Sequence, residues 1–391
     1  MRKVTMLDLK AELALYGDDV RRAIERVLVS QRFINGPGVE ELETALAARV
    51  GASHAVAVSS GTDALLCALM ALDIGPGDEV IVPTFTFFAT AGAVVRVGAT
   101  PVFTDIDPRT FNVDPKCVAR AVGPSTKAII VVHLFGLCAS MEEIRTIARR
   151  NDLRIIEDAA QALGARRQRE SAGTMGDVAC LSFYPTKNLG GIGEGGMVFT
   201  QDGGLADRAR QLRNHGESAR YVHECVGGNF RLDTIKAGAL LAKLPYLERF
   251  TERRRRNAGL YDQALAETPV TPPLVSPDEY HVYHQYSILS DHRDALAAHL
   301  CDRGVATGVY YPVPLHRQPC FAGVGRSKES LPVAEAVCKR ILSLPCHPML
   351  ADEDIAYVAR CIAEFGASDP ESPARTGVRS DQGVPPAVSR A

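Results

Sequence analysis

The chain has almost no net charge: its 391 residues carry 44 basic and 46 acidic side chains, for a formal charge of −2. A balance so near zero leaves no field to draw in nucleic acid or an anionic membrane surface. No C-x-x-C pair occurs among the ten cysteines, which stand at 67, 117, 138, 180, 225, 301, 320, 338, 346 and 361. Such spacing spells neither a metal site nor a disulfide framework, and scattered reduced thiols fit a cytoplasmic protein. The stretch Met1-Arg2-Lys3-Val4-Thr5-Met6-Leu7-Asp8 lacks the apolar core of a secretory signal. No apolar run approaches the roughly 18 residues of a membrane span. The expectation is a soluble, cytoplasmic protein. No unit repeats at a period of about 20 to 50 residues. Lysine is scarce, nine residues against 35 arginines, so a lysine set apart from the helical segments stands out.

What is present is the composition of an ordinary globular enzyme, 46 % hydrophobic and 23 % charged. The length exceeds one core and calls for two lobes: residues 1–248, residues 249–366, and a tail over 367–391. The segment 39–50 has helical apolar spacing behind Gly36-Pro37-Gly38. Apolar runs at 54–60, 79–84, 100–106, 127–136 and 154–160 alternate with helical stretches. That alternation predicts a largely parallel sheet with crossover helices. The runs 178–184 and 196–200 are joined by a glycine-rich connection instead of a helix, which predicts a mixed-direction part of a sheet of about seven strands. From 232 to 265 the pattern is helical, and the four arginines at 253–256 read as a solvated helix face. Beyond Pro272-Pro273, strand-like 284–289, a helix over 291–302, strand-like 305–311 and a helix near 352–365 make a smaller α/β lobe. Residues 367–391, mostly Ser, Pro, Gly, Arg and Asp, read as a disordered tail.

Asp158 ends the apolar run Ile155-Ile156-Glu157-Asp158, so it falls at the carboxyl end of a strand, where open α/β sheets hold their ligands. Lys187 follows another apolar run, within Ser182-Phe183-Tyr184-Pro185-Thr186-Lys187-Asn188 and among glycines. An acid and a lysine so placed fit a Schiff base with pyridoxal phosphate, Asp158 keeping the pyridine nitrogen protonated. Ser59-Ser60-Gly61-Thr62-Asp63-Ala64 stands at a strand-to-helix turn, whose free amides suit a phosphate and equally suit an ordinary N-cap. Phe85, Phe87 and Phe88 come to one sheet edge, either as a stacking surface for a flat cofactor or as plain core. Gly191-Ile192-Gly193-Glu194-Gly195-Gly196 spells G-x-G-x-x-G, but a lysine-bearing loop precedes it and a strand-like run follows. It is therefore no dinucleotide fingerprint; the glycines allow a tight return beside the site.

Together these stretches resemble the DegT/DnrJ/EryC1/StrS family of sugar aminotransferases. The resemblance covers roughly residues 10–366. It runs through Ser60-Gly61-Thr62-Asp63-Ala64-Leu65, Gly75-Pro76-Gly77-Asp78-Glu79-Val80, Glu157-Asp158-Ala159-Ala160-Gln161, Ser182 to Gly190, Gly228-Asn229-Phe230-Arg231-Leu232 and Tyr311-Pro312-Val313-Pro314-Leu315-His316. It implies an α/β, fold-type I architecture, with a mixed, mostly parallel sheet in a large domain and a smaller C-terminal α/β lobe. By the same resemblance Lys187 forms the Schiff base and shuttles protons, Asp158 bonds the pyridine nitrogen, and Gly61, Thr62 and Ser182 hold the phosphate of pyridoxal 5′-phosphate. Phe87 stacks on the ring, Gln161 approaches its hydroxyl, and Asn229 reaches the phosphate from the other subunit of a homodimer. Tyr311, His316 and Arg231 are placed toward the sugar or nucleotide, His316 being equally readable as a structural loop residue.

The implied reaction carries an amino group from L-glutamate to the ketone of a nucleotide-linked sugar, with no metal, nucleic acid or membrane partner. A dehydratase branch of the family has histidine at the lysine position, and Lys187 points away from it. Residues 83–90 and 103–108 resemble members acting on 3-keto sugars, UDP-linked uronic acids among them, whereas 193–196 resemble 4-keto enzymes. A keto-cyclitol aminotransferase of an aminoglycoside pathway and a non-catalytic regulatory relative are the alternatives.

Overall fold

A computed structural model of the chain describes residues 2–368. Its main sheet has seven strands: β1 His54–Val58, β2 Glu79–Pro83, β3 Thr100–Thr104, β4 Thr126–Val132, β5 Arg154–Asp158, β6 Val178–Ser182 and β7 Gly196–Thr200. Their spatial order is β1-β7-β6-β5-β4-β2-β3. β7 runs antiparallel to both of its neighbours, and every other pairing is parallel. The sheet is thus mixed and mostly parallel, as expected from a glycine-rich return between β6 and β7.

The strands read as near-continuous apolar runs because helices cover both faces. The helices, in chain order, are α1 Leu9–Ser30, α2 Pro37–Val50, α3 Gly61–Ala71, α4 Ala89–Arg96, α5 Pro115–Ala121, α6 Met141–Asn151, α7 Gly203–Arg213, α8 Thr234–Lys243, α9 Leu247–Leu265, α10 Arg293–Asp302, α11 Pro332–Arg340 and α12 Asp352–Ser368. Val80, Val82, Ile130 and Ile156 pack with residues of α3, α4 and α7 on one face. Ile81, Ile129, Val131 and Ile155 pack with α5 and α6 on the other, and Ala57, Leu181 and Phe199 with α2 and α8. Burying a side chain such as Ile129 contributes about 1.5 to 3 kcal/mol. A second core joins α9, α10 and α12 to the antiparallel pair β8 Tyr286–Leu289 and β9 Ile341–Leu344, and Val4 belongs to it.

Several sequence expectations need correction. Residues 305–311 do not form a strand: they make single bridges, Val305 with Val4 and Gly308 with Ser343, as an extended connection. The arginine run is no solvated face. Arg254 is buried and donates to the carbonyls of Tyr283 and Cys346, and Arg253 donates to those of Pro348 and Leu350. Arg255 bonds the His281 carbonyl beneath the Tyr280 ring, and Arg256 pairs with Asp352. α9 lies between the two cores, and loop carbonyls draw the guanidinium groups of Arg253, Arg254 and Arg255 inward, while Arg256 stays exposed. α1, α11 and β9 are additions. α12 continues to Ser368, and the rest of the expected tail lies outside the described residues. Among the described residues no helix is long and apolar enough to cross a membrane, and no cluster of histidine, cysteine and acidic side chains is placed to hold a metal.

Candidate active site

Asp158 is the last residue of β5 and is buried. Its carboxylate accepts from Thr90 Oγ1 at 2.8 Å and from the Ala160 amide at 3.2 Å. Burial pushes its pKa up, while Thr90, Ala160, Lys187 and His133 oppose the shift. Two ionised oxygens offer about four acceptor positions, so room remains for a further N–H donor. Lys187 stands in the turn after β6, where its amide bonds the Tyr184 carbonyl at 2.8 Å and Gly191 bonds Phe183 at 2.7 Å. Among the described residues its Nζ has no hydrogen-bond or ion-pair partner. Burial lowers its pKa to about 8, against the pull of Asp158. The two groups lie within each other's electrostatic reach, Asp158 with acceptor positions to spare and Lys187 with its amine unbonded.

Beside them is the turn that opens α3. Ser60 caps the helix, its Oγ accepting from the Asp63 amide at 3.0 Å. Gly61 and Thr62 fall in the first turn, where amides have no intrahelical acceptor and the helix dipole is positive. A Cβ on Gly61 would stand 2.7 Å from Ser182 Cβ, and one on Gly196 would stand 2.3 Å from the Ser60 carbonyl oxygen. Gly196 sits between Val58 and Ser182 in the sheet register, so two glycines let the Gly61 turn close onto Ser182. The hydroxyls of Ser59 and Ser60 are spent on Asp63, which leaves Thr62 and Ser182 to face an anion.

Of the three aromatics, Phe85 is core, packed edge-on to Phe135, and Phe88 stacks on Phe321. Phe87 is 56 % exposed and meets Tyr311 at a 6.3 Å centroid distance. Gln161 is held between the Phe135 amide, at 2.7 Å, and the Tyr311 hydroxyl, at 3.2 Å. Phe87, Gln161 and Tyr311 thus stand together, with Tyr311 in the field of Asp158.

The other candidates are placed differently. Asn229 is exposed, in a run whose next residues bond the end of β1: the Ser59 amide donates to the Phe230 carbonyl at 2.7 Å, and Arg231 bridges Val58. Arg231 donates to Asn214 Oδ1 at 2.6 Å, and its buried Nε has no partner. Both ring nitrogens of His316 are engaged inside the protein, Nδ1 with Thr84 Oγ1 at 2.7 Å and Nε2 with Glu335 at 3.0 Å. Sequence reasoning missed Thr90, which orients Asp158. The available signal was its position one turn after Thr86, whose hydroxyl it meets at 3.3 Å.

A flat group with a phosphate at one end, a ring nitrogen at the other and a carbonyl facing an amine fits these residues. That group is pyridoxal 5′-phosphate.

The match to known proteins is extensive. The model of the DegT/DnrJ/EryC1/StrS aminotransferase family matches residues 16–363. A pleiotropic regulatory protein of Geobacillus stearothermophilus is 48 % identical over 93 % of this chain and 98 % of its own. A UDP-N-acetyl-3-dehydro-α-D-glucosamine 3-aminotransferase of Acidithiobacillus ferrooxidans is 45 % identical over 92 % and 97 % of the two chains. The crystal structure of DesV from S. venezuelae in complex with a ketimine intermediate superposes with a TM-score of 0.90, at 42 % identity over 93 % of this chain and 99 % of that one. With the family model matching residues 16–363 and relatives matched almost end to end, the chain belongs to the DegT/DnrJ/EryC1/StrS aminotransferase family.

Proposed function

We propose that the protein transfers an amino group from L-glutamate to the C3 ketone of a nucleotide-linked hexose, with UDP as the nucleotide. One observation carries the reading: a buried acid, Asp158, faces an unpartnered amine, Lys187, at the carboxyl end of the sheet beside a phosphate-shaped turn. The 3-dehydro sugar named for the 45 % identical relative supports the C3 position. The 4-keto wording of residues 193–196 has a packing cause instead. A Cβ on Gly195 would press on Leu232 and Phe183, and one on Gly196 on Ser60, so these glycines answer to the hairpin.

When bound, pyridoxal phosphate supplies the carbonyl that captures the donor's amine and the electron sink for its α carbon. Gly61, Thr62 and Ser182 hold the phosphate, Phe87 covers the ring, and Gln161 approaches the ring hydroxyl. Asp158, fixed by Thr90 and the Ala160 amide, keeps a proton on the ring nitrogen. Lys187 Nζ, whose lowered pKa makes it an effective base near neutrality, would take the donor's α proton and hold it for return on the same face. In the second half-reaction it returns a proton to C3 of the sugar. Arg231 and Tyr311 line the substrate side, and His316 braces the loop that carries Tyr311. Asn229, exposed on its run, completes the phosphate site of a second copy, which makes the working unit a cytoplasmic homodimer. Residues 1–248 act as the cofactor domain and 249–366 as the second domain.

The test is absorbance followed by product mass. Protein loaded with pyridoxal phosphate should show a lysine-linked cofactor band that shifts on adding L-glutamate. The aminated form should then convert a 3-keto UDP-sugar, within a panel of 4-keto sugars and keto-inositols, to its amine. Turnover of a 4-keto sugar or an inositol alone overturns the C3 reading. The name of the 48 % identical relative favours a second, regulatory reading, and a protein that stays colourless with added cofactor would sink the catalytic one.

A further inference from the structure

A second lysine is buried near the first and takes no part in the chemistry above. Lys243, in the last turn of α8, is 8 % exposed and donates through Nζ to the carbonyl of Gly190, three residues beyond Lys187. Its ammonium lies 4.9 Å from the centre of the Tyr16 ring, on α1. Glu12 is 7 % exposed and faces two buried cations, Arg254 and Lys243. Arg254 in turn donates to the Tyr283 carbonyl at 3.3 Å. The residues on either side of Tyr283 grip Asn188: its Nδ2 donates to the Val282 carbonyl at 3.2 Å, and its Oδ1 meets His284 Nδ1 at 3.3 Å.

The turn that presents Lys187 is therefore pinned at two points just beyond it, at Asn188 through the 282–284 segment and at Gly190 through Lys243. Both pins lead back to one carboxyl group on α1. Only glycine fits at 190, since a Cβ there would lie 2.1 Å from the Pro185 carbonyl oxygen, and this close approach brings its carbonyl to Lys243. A buried ammonium against an aromatic ring, with a carboxyl group only within electrostatic reach, is costly to keep. Charge-balanced by Glu12 and bonded to the loop, it instead fixes geometry.

We propose that Lys243, balanced by Glu12, is a positioning residue for Lys187, holding the Gly190 carbonyl so that the catalytic amine is presented at a fixed point. The proposal rests on the reading of Lys187 as the cofactor lysine. Lys243→Met keeps most of the side-chain length and removes the charge. In the loaded full-length protein it should lower kcat at least tenfold, on the order of the cost of a 1 Å misplacement, with KM for L-glutamate within about twofold. Hydrogen exchange at the amides of Lys187 and Gly191 should quicken at least about tenfold. Glu12→Gln, nearly isosteric, should shift both readouts the same way by a smaller factor, and it carries the test if Lys243→Met does not fold. A melting temperature that falls while kcat and amide exchange stay at wild-type values in the variants that fold makes the network merely structural and overturns the proposal. Lys187→Ala is measured in parallel: a lysine-linked cofactor band persisting there sinks the underlying reading, whatever Lys243 does.

Discussion

Glu157 and Asp158 are neighbours on β5, and the strand's alternation turns them to opposite faces of the sheet. Glu157 accepts from the amides of Gly173, Met175 and Gly176, at 2.8, 2.6 and 2.6 Å, and from His133 Nε2 at 2.8 Å. The Ala139 amide donates to His133 Nδ1, so Nε2 carries the hydrogen. Every acceptor position of Glu157 is filled from within the chain. Asp158 has two donors and a lysine that bonds nothing. Equal burial with unequal satisfaction separates an acid that holds the fold from one that waits for a ligand.

The largest effect should come from breaking the unsatisfied side. Lys187→Ala should abolish the lysine-linked cofactor band and cut turnover by about 10⁴-fold, the upper end of what a positioned base contributes. Asp158→Asn should cost about 10² to 10⁴-fold while leaving the melting temperature unchanged or raised, because a buried charge is removed. Turnover within tenfold of wild type in either variant would remove these residues from the chemistry. The other acid should behave in reverse. Glu157→Gln replaces two acceptor oxygens by one and turns an amide donor toward backbone N–H groups, at a cost of about 1 to 3 kcal/mol. The melting temperature should fall, and turnover per bound cofactor should stay within about threefold. Lost turnover at full stability would erase the distinction.

The sequence made much of this contrast legible, and the reason is local. Strands buried on both faces are written as apolar runs, so the sheet, its odd direction at β7, the strand end bearing Asp158 and the turn bearing Lys187 could all be read from the sequence. A glycine-rich hairpin likewise announces itself. What could not be read is whatever depends on distant partners. Thr90 gains its meaning only when α4 brings it to Asp158. Arg254 looks like surface until loops from 283 and 346 supply carbonyls to it. α1 buries Glu12 and Gly17 while leaving Leu9, Leu13 and Leu28 exposed, so its apolar stripe is blurred at the level of composition.

The amine on the unsatisfied side also gives a pH signature. With a pKa of about 8, Lys187 in cofactor-free protein is mostly protonated below that pH, and only the neutral amine attacks the cofactor's carbonyl. The attachment rate should rise about tenfold per pH unit up to about pH 8 and level off above it. A rate still climbing beyond pH 10 would mean an ordinary, solvated lysine, and the contrast with a satisfied site would weaken.

The smallest expected effect repeats the comparison among aromatics. Phe87 and Phe88 are about equally exposed, but Phe88 stacks on Phe321 with centroids 5.3 Å apart, whereas Phe87 meets Tyr311, which also holds Gln161. Removing a stacked neighbour costs about 0.5 to 1.5 kcal/mol beyond area, and where that cost falls depends on what the ring touches. Phe88→Ala should lower the melting temperature and leave cofactor retention alone. Phe87→Ala should leave the melting temperature of the cofactor-free protein unchanged and weaken retention of pyridoxal phosphate by about two- to tenfold, read as its release on dialysis. If both variants lose stability and neither loses cofactor, Phe87 belongs with the core, and its contact with Tyr311 does not mark the ligand.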